Sequence, residues 1–554
     1  MIRKDIVLSN TILLLGVIVC LISSLYGISY NVDSIYDEGF LYFSQQTALS
    51  GHISGISQGT NIIAAILGEK ICSSVLNLRI AAMLMKISCA ALFMLITSSL
   101  FGKGGGPNVG YGIICLLMLT PHMSDLVLCQ NGLAQLFFCI SLALGYRILV
   151  IDSRCNIIWC LILGICLTFG FFSILPGAVL LAGCLFVLLL YRYWGQWKKI
   201  NLFVSFLFVG SALGILLMHL FVNDIGDVIA AMHKTATTVT TLNRGYDPLS
   251  FLMNFLLFLR DWSLCCALIL GVIHLSDRIK RLGFRWGARL LFIVILLIYT
   301  YYQKKPMVTF SMLMSLLWIV LLYNKKNEGS LSFSELFEFD NLLNIFLTLS
   351  PVILAMGTNT YLGGKMSYFM LPWVLLIYRL GWKSQFVQMR IEACAVVCLL
   401  LILPSFQLFR QISKDSYRVE QGPLKGMHLT ESQAIHFSEC EKIVKEYNFQ
   451  PKKSVIYSTQ LGMMTICYLD GVNCANYFQP MDFVAHAQGD KLPCPDFLFL
   501  CEYDIQVSGE QLRNIGWGWP EDFDVFEVGT PESIKTSYPT ERMLYCRKSL
   551  KTNE

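Results

Sequence analysis

The chain has 554 residues, 55% of them hydrophobic and only 14% charged, and its mean hydropathy is +0.59. A soluble chain is nearer a quarter charged, and single cores stop growing at a few hundred residues. This composition excludes an ordinary soluble enzyme, a disordered chain and a fibrous repeat, and it describes a polytopic membrane protein. The net charge of +5 hides a change of sign. Up to Arg410 there are 28 Lys and Arg against 17 Asp and Glu, and from Gln411 onward there are 14 against 20. The expected fold is an all-α polytopic transmembrane bundle over residues 1–410, followed by a small acidic α/β domain over 411–554, long enough to bury its own core. No soluble stretch carries a basic stripe with interleaved aromatics, so nothing points to nucleic acid.

A spanning helix needs about 20 mainly apolar residues. About 13 such runs follow one another, starting near Ile6, Ile80, Val109, Leu126, Ile157, Ile174, Leu202, Leu249, Leu290, Met307, Leu342, Met366 and Ile391. Arg3 and Lys4 precede the first run, which reads as a retained anchor because no small-residue cleavage site follows it. With the N-terminus inside and the runs alternating, the inner loops hold 18 Lys and Arg and the outer ends before residue 411 hold 9. That bias supports the orientation. An odd number of spans then leaves the acidic domain on the outer side, together with the first outer loop, residues 29–78.

After the last span, Gln421-Gly-Pro-Leu-Lys-Gly426 reads as a linker that docks the outer domain. A helix is expected from Thr430 to Tyr447, with strands at Ser454–Ser458, Asp496–Leu500 and Met543–Cys546. Fourteen of the 20 cysteines precede Gln411, where they serve as small apolar residues. The six that follow are compatible with structural thiols or disulfides, and their spacing matches no zinc pattern.

The chemistry concentrates in the first outer loop. Asn31-Val-Asp-Ser-Ile-Tyr-Asp-Glu-Gly-Phe-Leu-Tyr42 places Asp33, Asp37 and Glu38 within six residues, next to the membrane surface. Glu38 to Leu49 fits a short interfacial helix turning Phe40, Leu41, Phe43 and Ala48 toward lipid or the bundle. Asp37 would then sit at its N-cap or first turn, where a helix N-terminus stabilises a carboxylate. On residue type alone, Asp37 reads equally well as a cap and Glu38 as a solvated first-turn acid.

The stretch Asp37-Glu38-Gly39-Phe40-Leu41-Tyr42, directly after a first span, resembles the Asp-Glu-x-x-x-Tyr pattern of the GT-C class of polytopic glycosyltransferases. That class includes the protein O-mannosyltransferases and the aminoarabinose transferases of lipid A. The resemblance in architecture covers the whole chain, whereas the motif is short and gains its weight from its place. It implies transfer of a sugar from a polyprenyl-phosphate donor to a lipid, glycan or protein acceptor on the outer face of a bacterial inner membrane. Such transfer inverts the anomeric carbon. Asp37 would take the acceptor's proton, Glu38 would orient acceptor or base, and Tyr42 would support the motif. Asp33 is a further carboxylate for a divalent cation, should the reaction use one; no other cofactor is implied. Relatives often carry a second acid near the third or fourth span. Here Asp125 is the candidate, while Gln130-Asn131 stands where an acid is often found, which leaves Asn131 in a supporting role.

A leaving phosphate needs cations. Lys304 and Lys305 form an outer turn against the charge bias, and Lys365 follows Gly363-Gly364 ahead of a span whose N-terminus would favour an anion. Arg79 and Lys86 lie seven apart on one helical face, with Lys86 about 10 Å into its span, a depth at which a charge usually lines a cavity. Each of these also reads as a side chain snorkelling to the interface. Two rivals stay open on sequence alone: a polysaccharide polymerase or lipid-linked-sugar transporter, and a non-catalytic glycan-binding scaffold.

Overall fold

The computed structural model describes residues 37–49, 58–98, 130–230, 337–355, 415–458, 463–472, 492–528 and 542–551, with further single positions within 11–30, 233–271 and 369–376. Among the described residues four helices are long and apolar enough to cross a membrane: α3 (Val75–Ser98), α4 (Gln130–Val150), α5 (Asn156–Ser173) and α7 (Trp197–Phe221). They follow a short helix α1 (Asp37–Leu49) and a kinked helix α2 (Gln58–Cys72). α6 (Leu175–Arg192) and α8 (Phe339–Ala355) are shorter apolar helices. These elements lie where the runs near Ile80, Leu126, Ile157, Ile174, Leu202 and Leu342 are expected. The runs near Val109, Leu290, Met307 and Ile391 fall outside the described residues, as do most residues of the runs near Leu249 and Met366.

The bundle is held by close backbone approach as well as by apolar burial. α5 and α7 meet along Gly164 and Thr168 on one side and Gly210 and Gly214 on the other. A Cβ at Gly210 would overlap the Leu161 carbonyl, and one at Gly164 would lie 2.7 Å from the Ser211 nitrogen. Thr168 Oγ1 sits 3.0 Å from the Gly164 carbonyl and 3.4 Å from that of Ser211. In a bilayer, where lipid tails are as apolar as leucine, small residues that let helices approach are the main source of packing attraction. The central core adds Phe138, Leu181, Leu347 and Trp373, the last donating its indole N–H to the Thr348 carbonyl at 2.8 Å.

The two ends of the bundle differ. At one end Arg147 donates to the Ile96 carbonyl at 3.1 Å, Lys199 pairs with Asp152, and Tyr193 donates to the Ile148 carbonyl at 3.1 Å. This end carries Arg147, Arg154, Arg192, Lys198 and Lys199. At the other end Ile62 and Ile63 of α2 pack against Ala82, Leu133, Phe172, Met218 and Val228.

The C-terminal stretch opens with a two-stranded antiparallel pair, β1 (Asp415–Arg418) and β2 (His428–Thr430). Helix α9 (Glu431–Glu446) follows at once. Its N-cap Thr430 accepts from the Gln433 backbone at 3.3 Å, and the Gln433 side chain accepts from the Thr430 backbone at 3.0 Å. That reciprocal cap satisfies two of the helix's unpaired N–H groups. A four-stranded sheet then forms in the order β3 (Ile456–Ser458), β4 (Phe497–Cys501), β6 (Arg542–Arg547), β5 (Phe523–Val528). β3 and β4 run parallel, with α10 (Met463–Leu469) between them in sequence, and the other pairs are antiparallel. α11 (Glu502–Asn514) follows β4. Cys440, Cys467, Cys494 and Cys546 are free thiols. Burial pushes the Cys494 and Cys546 thiols above their ordinary range.

Candidate functional site

α1 is described from Asp37 to Leu49, which puts Asp37 and Glu38 toward its N-terminal side. The unpaired N–H groups and positive dipole end of a helix favour negative charge there. One turn later Tyr42 and Phe43 are buried between the end of the bundle and the C-terminal stretch. They join one apolar core with Cys72, Val75 and Leu78 and with Leu424, Met427, Met463 and Cys467 from the C-terminal stretch. The amphipathic pattern of α1 marks a buried face, and the C-terminal stretch covers it. Burial first, then Cys467, Asp470 and Cys72, raise the Tyr42 phenol above its ordinary range, so it stays protonated.

Further contacts tie the same pieces together. The His428 backbone donates to the Ser29 carbonyl at 2.6 Å, and its ring stacks on Tyr30 with centroids 4.2 Å apart. Val75 donates to the Pro423 carbonyl at 3.0 Å, inside the segment expected to dock. Gly422 and Gly426 flank it at φ 70° and 83°, a conformation that costs other residues 1–2 kcal/mol or so. A Cβ on Gly426 would also come within 3.1 Å of Leu76 Cδ2.

Arg79 is only 1% exposed. Its Nη1 lies 3.1, 3.0 and 2.6 Å from the carbonyls of Gly27, Ile28 and Tyr30. Gly27 is the last described helical residue before that turn. Arg79 therefore caps the carbonyl end of the first helix and fixes where the first loop begins. A donor to three backbone carbonyls is a structural post, and its commitment explains why a cation is buried there. Lys86, on the same face of α3, is 8% exposed and deeper in the span. Gln135 of α4 runs alongside, its carbonyl 3.9 Å from Cys89 Sγ, one turn beyond Lys86. The Gln135 Oε1 is buried without a hydrogen-bond partner, so this interior is polar as well as charged.

For Asp37, Glu38 and Asn131 the described structure gives the backbone, which is helical in α1 and α4. Asp33, Asp125, Lys304, Lys305 and Lys365 lie outside the described residues. Among the described residues no three His, Cys, Asp or Glu side chains gather as a metal site. Sequence reasoning missed the capping role of Arg79 and the partnership of Tyr30 with His428. The signal for the first was a lone arginine at the start of a span, one turn after Ser74 and Val75.

No family model matches the chain, and no curated protein matches it. Among solved structures it is similar to the archaeal oligosaccharyltransferase AglB from Archaeoglobus fulgidus, in complex with an inhibitory peptide and a dolichol-phosphate. The identity is 10% and the TM-score 0.43, over 97% of this chain and 75% of that one. It is also similar to ArnT from Cupriavidus metallidurans in the apo state, at 12% identity and a TM-score of 0.44, over 98% of this chain and 99% of that one.

Proposed function

We propose that the chain is an integral membrane glycosyltransferase of GT-C-like architecture. It moves a sugar from a polyprenyl-phosphate donor to a lipid, glycan or protein acceptor on the outer side of a bacterial inner membrane. The observation that carries this reading is the location of the acidic pair. Asp37 and Glu38 lie on a helix that its Tyr42 and Phe43 clamp between the non-basic end of the bundle and the C-terminal stretch. Positive-inside bias supports putting the end with Arg147, Arg154, Arg192, Lys198 and Lys199 in the cytoplasm, and the acidic pair then faces outward.

In this mechanism Asp37 takes the proton from the acceptor hydroxyl as its oxygen attacks the anomeric carbon. The bond to the donor phosphate breaks on the opposite face, so the sugar inverts. Glu38 orients the acceptor or Asp37. Lys86 meets the developing phosphate charge in a polar interior, with Lys365, Lys304 and Lys305 as the outer cations and Asp125 as the second acid. Arg79 acts through position alone, by fixing the turn ahead of the motif. The domain after residue 410 closes the site by covering α1.

The test is transfer by membranes carrying Asp37→Asn, with a radiolabelled lipid-phosphate sugar. General-base assistance is worth about 10²–10⁴-fold, and a loss of that size at normal protein level is expected. Transfer within tenfold of the unmodified protein refutes the base assignment.

A further inference from the structure

A narrow, partly open groove lies between α4, α5, α6 and α7, away from the acidic pair. Its walls are apolar: Ile148, Leu163, Leu185, Leu189, Phe203 and Leu207 are representative. Its position along the helices can be read from the residues that continue them. Phe203 lies one turn after Lys199, and Leu189 lies three residues before Arg192, so both cations stand on the groove's face just past its basic end. Tyr193 closes that end by donating to the Ile148 carbonyl.

The same level carries a ring of exposed aromatics. Trp194 is 73% exposed, Trp197 55% and Tyr191 48%. Amphipathic rings collect at the depth of lipid headgroups. Arg154, Arg192 and Lys198 are exposed there, and Lys199 is partly so. Lys199 also lies 4.4 Å above the Tyr193 ring, and Arg192 5.0 Å from that of Phe339. Against these cations the described residues of the rim offer Asp152, which pairs with Lys199, and Glu338 and Asp340, which flank the Phe339 ring beside Arg192, so Arg147, Arg154, Arg192, Lys198 and Lys199 still outnumber the acids. An apolar trough ending in surplus positive charge at headgroup depth is complementary to one kind of molecule, a lipid with a tail and an anionic head.

We propose that this groove binds an anionic glycerophospholipid, with an acyl chain along Leu185, Phe203 and Leu207 and its phosphate on Arg192 and Lys199. The site is separate from the proposed sugar-transfer site and needs only that these helices span a bilayer. A bound lipid would fill the space between α6 and α7 and tie together helices that meet there without the glycine seam used by α5 and α7.

The test uses the full chain in detergent, analysed by native mass spectrometry after adding phosphatidylglycerol or phosphatidylcholine at equal concentration. One phosphatidylglycerol is expected to persist, at least tenfold over phosphatidylcholine. Arg192→Gln with Lys199→Gln should erase the preference, and Lys199→Arg should keep it. Ala182→Phe fills the groove and should abolish retention with the cations intact. Millimolar inorganic phosphate, which has the charge without the tail, should not displace the lipid. Equal retention of the two lipids, unchanged retention in Ala182→Phe, or displacement by phosphate would each overturn the proposal. Elution of each variant at the unmodified protein's volume on size-exclusion chromatography separates a lost site from a lost fold.

Discussion

Replacing Gly210 by alanine tests whether the α5–α7 seam is a main support of the bundle. The new Cβ would overlap the Leu161 carbonyl, while the same change at Gly164 would put a Cβ 2.7 Å from the Ser211 nitrogen and 2.9 Å from the Gly210 carbonyl carbon. Ordinary contact begins near 3.4 Å, and all these obstacles are backbone, so no rotamer can yield. The helices must part by about 0.7 Å or more. A gap of that size forfeits a quarter to a half of each atom-pair attraction of ~0.1–0.2 kcal/mol. Over the tens of pairs along two packed helices the loss comes to about 2 kcal/mol, within the ~1–3 kcal/mol range for overpacking. Gly183 of α6 is the internal control, since a Cβ there meets nothing within 4 Å. Unfolding in mixed micelles should show Gly210→Ala and Gly164→Ala each destabilised by about 2 kcal/mol and Gly183→Ala neutral or slightly stabilised. Equal stability of Gly210→Ala and Gly183→Ala would refute the claim that backbone approach holds this pair.

Arg79→Met should cost about 2–5 kcal/mol, because buried carbonyls lose a charged donor, and sugar transfer should fall with it; Arg79→Lys should recover part of both, measured on the same micelle unfolding curves. Asp470 is held above its ordinary carboxylate value of 3.8 by burial, with Lys452 opposing. A raised folded-state value means the group's contribution is most favourable below about pH 3.8 and declines as pH rises through the folded value. Asp470→Asn should therefore stabilise the protein at pH 7, and that advantage should shrink on acidification; a gain constant from pH 7 to pH 3.5 would contradict this. Cys155 is exposed at the basic end, so a membrane-impermeant maleimide should label it in inside-out vesicles and spare it in intact cells. Labelling from outside would invert the topology. Cys72, pushed up to about 11 by burial, should react far more slowly at pH 7.

The bundle was legible because a long apolar run has few alternatives in a bilayer. The runs near Ile157 and Leu202 fall on α5 and α7. One boundary drifted: α3 starts at Val75, ahead of Ile80. Polar residues at a helix end weigh against a hydropathy window even when the backbone is helical. In the C-terminal stretch the Thr430 cap could be read because a capping box is local. Strand β5 could not, since Phe-Asp-Val-Phe-Glu-Val is short and acidic and is secured by pairing with β6. The buried partner of α1 was illegible for a deeper reason. Tyr42 and Met463 are 421 positions apart, and an apolar face states that it needs cover without stating by what.

That shared core also sets an order in time. The buried face of α1 emerges from the ribosome early, but Leu424, Met427 and Met463, which cover it, lie 381 to 421 residues further on. At roughly 5–20 residues per second the first loop waits on the order of 20–80 s for its other half. Until then the acidic pair sits on a helix with an open flank, in a chain already threaded through the membrane. A product truncated before residue 424 would keep its spans and its acids and lack the surface that holds them in place. Completion of synthesis would then be the event that assembles the site.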